Sequence, residues 1–108
     1  MRIKIQIKTQ NRELGSELME TSDSFSSGTK NELPGNATLL ASGIIGTKMF
    51  GAPLIFELDL IINQNTDINI ISEWLYLQLH NRCEQLLFNN YDVSITKNDI
   101  HQAISNLV

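Results

Sequence analysis

Between Leu54 and Ile62 every second residue is apolar. Leu54, Phe56, Leu58, Leu60 and Ile62 share one side, while Glu57 and Asp59 lie on the other with Ile55 and Ile61. A period of two places successive side chains on opposite faces of an extended chain, so this segment is a strand that buries one face. The same rule governs the start of the chain, where Ile3, Ile5 and Ile7 alternate with Arg2, Lys4, Gln6 and Lys8. Two strands of this kind, in a chain with short connections elsewhere, call for an antiparallel sheet laid on a core.

The wider apolar run 37–62 carries only Lys48, Glu57 and Asp59 as charges. About 20 apolar residues suffice to cross a bilayer. Lys48, the glycines Gly43, Gly46 and Gly51, Pro53 and the alternation weigh against such a span. The run therefore reads as two strands, 37–45 and 53–62, joined near Lys48–Gly51, and no membrane partner is expected.

After Asn63-Gln64-Asn65 the period changes. Thr66 or Asp67 supplies a helix N-cap, and Ile68, Ile70, Ile71, Trp74, Leu75, Leu77 and Leu79 follow at helical spacing over 67–81. Asn69, Glu73 and His80 form a narrow polar stripe. An apolar arc this wide covers more than one wall. The helix either has a neighbour at its flank or offers one side to a partner. Trp74, Tyr76 and Leu77 are the candidate partner-binding residues, since Trp is enriched at binding hot spots. Between Ile70 and Leu77, Trp74 suits a buried anchor as well.

Farther on, residues 86–95 read as a hairpin, with Asn89-Asn90 at a tight turn that needs positive φ. Thr96 followed by Asp99 resembles a capping box. It opens a helix over 97–107 with Ile100, Ala103, Ile104 and Leu107 on one face. Residues 9–36 are rich in Ser, Thr, Asn and Gly. They read as a long mobile loop, with at most a helical turn or two between Arg12 and Glu20 and a turn at Leu33-Pro34-Gly35-Asn36.

The expected fold is a single α+β domain over 1–108: a mainly antiparallel sheet of about five strands with two helices packed on it. A hydrophobic fraction of 42% is enough for that core. The formal charge of −4 and pI near 5.0 argue against a phosphate-backbone binder, so no nucleic acid is expected. The single cysteine and an N-terminus that alternates, without an apolar signal region, point to a soluble cytoplasmic protein. The abundance of Asn and Ile hints at an AT-rich bacterial or phage gene.

Chemistry is sparse. His80 and His101 fall on different helices, without the spacing of a metal site. Cys83 follows His80 by three residues, close enough to meet on a helix end, yet a thiolate nucleophile also needs an orienting group. Gly43-Ile44-Ile45-Gly46-Thr47-Lys48 lacks the spacing of a phosphate loop. Glu57 and Asp59 share a face as an acid/base pair would, with nothing to place a substrate there. No catalytic, cofactor or metal residue is assigned, and no enzyme is expected. The first expectation is a protein-binding module. A homo-oligomeric structural protein comes second, and a small enzyme using Cys83 or a His third.

The stretch Ile70-Ile71-Ser72-Glu73-Trp74-Leu75-Tyr76-Leu77-Gln78-Leu79 and the tail Leu87-Phe88-Asn89-Asn90-Tyr91-Asp92-Val93-Ser94-Ile95-Thr96-Lys97-Asn98-Asp99-Ile100 carry a family resemblance over roughly 54–108. They resemble small bacterial proteins called effector-associated components, some of which stand beside effector genes of conflict systems. Those proteins have an apolar segment ending in a Trp-Leu-Tyr-x-x-Leu-like element, then a short hairpin and a capped helix. This chain departs from them with Asn-Asn in place of Asn-Gly at the turn, and with a clear strand where they are often continuously helical. The resemblance implies a bacterial, conflict-related, non-enzymatic protein and carries over no functional residue. Small size, acidity, the lack of a catalytic constellation and the over-wide apolar helix point to an inhibitor, immunity protein or accessory subunit in bacterial or phage conflict.

Overall fold

The computed structural model describes residues 1–21, 25–46 and 51–108. It is α+β, in the order β1 (Arg2–Thr9), α1 (Leu14–Leu18), β2 (Lys30–Leu33), β3 (Ala37–Ile45), β4 (Leu54–Ile61), α2 (Ile68–Leu79), β5 (Gln85–Phe88), β6 (Tyr91–Val93) and α3 (Lys97–Leu107). The six strands form one antiparallel sheet, ordered β2-β3-β4-β1-β5-β6. Among the described residues no helix is long and apolar enough to cross a membrane.

Register follows from the alternation. Pairing Ile3 with Leu60, Ile5 with Leu58 and Ile7 with Phe56 places the two sets of apolar side chains on the same face. β5 adds Phe88 opposite Ile5 and Leu86 opposite Ile7. A shift by one residue would turn each set toward solvent, so burial fixes the pairing. This face joins Leu14 and Leu18 of α1, Ile71, Leu75 and Leu79 of α2, and Ile100 and Ile104 of α3 in one core. The opposite face carries ion pairs, Arg2–Asp59 and Lys4–Glu57, each at 3.6 Å. One buried and one solvated face is the common state of an antiparallel sheet.

One expectation is corrected. Residues 9–36, expected as a mobile loop, contain α1 and β2 among their described positions, and Leu14, Leu18, Met19 and Leu33 are buried. The ordering comes from contacts distant in sequence. Asn31 Nδ2 donates to the Leu18 carbonyl at 2.8 Å, and Thr9 Oγ1 donates to the Arg82 carbonyl at 2.6 Å. β2 is thus a sixth strand beside the five expected, and α1 a third helix. The joint expected near Lys48–Gly51 lies outside the described residues except for Gly51, whose φ of 82° suits a turn.

Candidate protein-binding surface

The N-terminus of α2 is held from two directions. Asp67 caps it, its Oδ1 accepting from the Asn69 and Ile70 N–H groups at 3.0 and 3.2 Å. These are donors that the first turn would otherwise leave unpaired. The β2–β3 turn docks against the same end: Asp67 N–H donates to the Gly35 carbonyl at 2.8 Å, and Thr66 Oγ1 to the Asn36 carbonyl at 2.7 Å. Gly35 has φ of 82°, and a Cβ there would lie 3.1 Å from the Asp67 carbonyl and 3.2 Å from Ile70 Cβ. Only glycine satisfies both the backbone angle and the close approach.

Ile71, Ser72, Leu75 and Leu79 face the sheet and are buried. At about 100° per residue, Leu77 and Ile70 fall near the opposite side of the helix. They are 63% and 44% exposed. α3 packs along α2, and the Lys97 Nζ–Glu73 Oε2 pair at 3.8 Å marks the flank on which it lies. The wide apolar arc therefore has two explanations at once. Part of it meets a neighbouring helix, and a narrow outward line meets solvent.

The three candidates separate accordingly. Trp74 and Leu77 are about 60° apart around the helix axis and border the same outward line, whereas Tyr76 lies about 160° from Trp74 on the other flank. Trp74 and Tyr76 are half-buried and packed against the core. Tyr76 also lies over the His80 ring, with centroids 4.9 Å apart. Leu77 alone of the three projects into solvent. Ile70 joins it as a residue outside the original candidates. The signal for it was present, since positions seven apart share a helix face, once the sheet-facing set was subtracted.

The remaining chemistry-bearing residues are not brought together into one site. Burial pushes the Cys83 thiol up to about 11, so it is protonated at neutral pH. His80 Nε2 lies 3.2 Å from Asn81 Nδ2, while His101 borders Asn98, Gln102 and Ser105 along α3. Glu57 is bonded by Gln6 at 3.2 Å besides its Lys4 pair, and Asp59 by Ser42 at 3.1 Å besides Arg2. These carboxylates form cross-strand links on the solvated face. Among the described residues no group of three or more His, Cys, Asp and Glu side chains could hold a metal ion.

Comparison with protein-family models, with curated proteins and with solved structures finds no match in any of the three.

Proposed function

We propose that the chain is a non-catalytic protein-binding module that presents the Ile70–Trp74–Leu77 line of α2 to a partner protein. The supporting observation is the exposure of Leu77 and Ile70 on the side of α2 turned away from the sheet, with half-buried Trp74 beside them. Covering a leucine fully is worth roughly 1.5–3 kcal/mol. A ridge of two aliphatic side chains with an aromatic at its border has the anchor-and-rim form of an interface centre. The partner class follows from small size, acidity and the over-wide apolar helix, with the resemblance pointing to conflict systems: the target of an inhibitor, immunity protein or accessory subunit in bacterial or phage conflict.

A second reading, a homo-oligomer, is favoured by the Ser42–Ile45 end of β3. β2 pairs with β3 only as far as Leu40, and beyond it Ile44 and Ile45 are about half exposed on an uncharged stretch. Among the described residues no strand pairs with this side of the Ser42–Ile45 stretch, and such an edge favours pairing with a copy. Sedimentation of the wild type and of Leu77→Asp at several concentrations, alone and with proteins recovered by tagged pull-down, separates the two. The binding reading predicts a monomer alone, a stoichiometric complex with a recovered protein, and loss of that complex in Leu77→Asp. A concentration-dependent oligomer that persists in Leu77→Asp, with no foreign protein bound, would overturn it in favour of the second.

A further inference from the structure

β6 is an edge of the sheet, and α3 runs beside it with a groove between them. One stretch of the groove, about 290 Å³, is lined chiefly by Phe88, Tyr91, Val93, Ala103 and Leu107. An adjoining stretch of about 340 Å³ is polar and includes Asp92, Asp99 and Gln102. Asp92, Val93, Ala103 and Asn106 border both stretches, which makes the groove continuous. Tyr91 borders the apolar stretch and is 74% exposed. Among the described residues no lysine or arginine lines either stretch. Among the described residues neither Asp92 nor Asp99 has an ion-pair partner, and the nearby Lys97 is paired with Glu73.

The backbone of the edge is oriented as well. Asn89 N–H donates to the Lys4 carbonyl, as in a hydrogen-bonded pair, while the Asn89 side-chain Oδ1 takes the Lys4 N–H in place of the backbone carbonyl. The next pair, Ile5 and Phe88, is then a non-bonded one, and Phe88 turns its own N–H and carbonyl toward Tyr91. By the same alternation Asp92 points its N–H and carbonyl away from β5, out of the open edge.

We propose that this groove binds an extended segment of a partner protein, added as a seventh strand beside β6, with a lysine or arginine next to apolar side chains. Main-chain bonds to Asp92 would hold the strand. The apolar stretch between β6 and α3 receives its aliphatic side chains, and the Asp99 carboxylate, on α3 beside the groove, receives its cation. A second copy of this chain fits the site less well. Antiparallel pairing centred on three-residue β6 sets Asp92 opposite the same residue of the copy, and like charges directly opposed on neighbouring strands are destabilising. No residue of α2 lines the groove, so this site and the α2 ridge stand or fall separately.

The test uses the full ¹⁵N-labelled chain and a fluorescein-labelled octapeptide of alternating Lys and Val, with an alternating Glu–Val octapeptide as control. Saturable binding of the Lys–Val peptide is expected, with amide shifts confined to residues 88–107 and at least tenfold weaker binding of the Glu–Val peptide. Replacing the carboxylate (Asp99→Asn) should weaken binding about threefold, as the loss of one exposed ion pair would. Ala103→Trp, which fills the apolar stretch, should abolish binding while leaving the amide spectrum of the sheet core in place, and it serves as the test if the Asp99→Asn variant does not fold. Equal binding of the two peptides, shifts centred outside 88–107, or insensitivity to these variants would overturn the proposal. So would concentration-dependent shifts at 88–107 without peptide, which would assign the groove to a second copy.

Discussion

Leu75 and Leu77 are the same residue type two positions apart in one helix, and the structure gives them opposite environments: 1% and 63% exposed. Truncating each to alanine isolates that difference, because the change in helix propensity is the same at both sites. At Leu75 three carbons leave a site closed to water. At about 0.8 kcal/mol per buried carbon the transfer loss is about 2.4 kcal/mol. The cavity left against the sheet raises the total to about 3 kcal/mol, within the usual range for buried leucines. At Leu77 only about a third of that transfer loss applies, with no enclosed cavity, so the cost is under about 1 kcal/mol. Urea unfolding followed by far-UV circular dichroism should therefore show Leu75→Ala about 2 kcal/mol or more less stable than Leu77→Ala, with equal m-values. Equal losses at the two positions would refute the placement of Leu77 on the outward side of α2, and with it the proposed binding ridge.

Three further outcomes follow from local packing. Ser72 is buried in α2 and its hydroxyl has no hydrogen-bond partner among the described residues, so Ser72→Ala should raise stability by about 1 kcal/mol in the same urea assay. Gly15 lies against the core, and a Cβ there would sit 2.5 Å from Phe56 Cε1 and 2.9 Å from Phe25 Cδ2. Gly15→Ala should lower the melting temperature, since overpacking of about 1–3 kcal/mol exceeds the gain in helix propensity. Burial holds the Cys83 thiol neutral up to about 11 against an ordinary 9.0. The unfolded chain therefore loses that proton first as pH rises, and the contribution to stability, full below pH 9.0, falls away between the two values. Cys83→Ser should flatten that alkaline decline, and the wild-type thiol should react slowly with iodoacetamide near pH 8 until the chain is unfolded.

Segments whose side chains announce their own periodicity were legible in the sequence. The inward faces of β1 and β4 follow directly from alternation at Ile3–Ile7 and Leu54–Ile62, and all of these residues are buried. Local chemistry was equally readable. Asp67 caps α2, Thr96 Oγ1 accepts from Asp99 N–H at 3.1 Å, and Asn89 and Asn90 both take positive φ at the β5–β6 turn. α1 and β2 were hidden for a physical reason. α1 has five residues, too few for a helical period to emerge. β2 reads Lys30-Asn31-Glu32-Leu33, and its inward Asn31 is a polar residue satisfied by the distant Leu18 carbonyl. Such ordering is set by tertiary contacts. On α2 the pattern revealed an excess of apolar surface but not its division. Only tertiary packing separates half-buried Tyr76 from Leu77 in solvent.

The proposed binding ridge is tested most directly by placing a photo-cross-linking amino acid at position 77, and as a control at the exposed Lys30 position on β2, then irradiating cells that make each chain from its native locus. The account predicts an adduct at 77 whose added mass belongs to a different protein, absent from the chain labelled at 30. An adduct of twice the chain's own mass, or no adduct specific to 77, would contradict it.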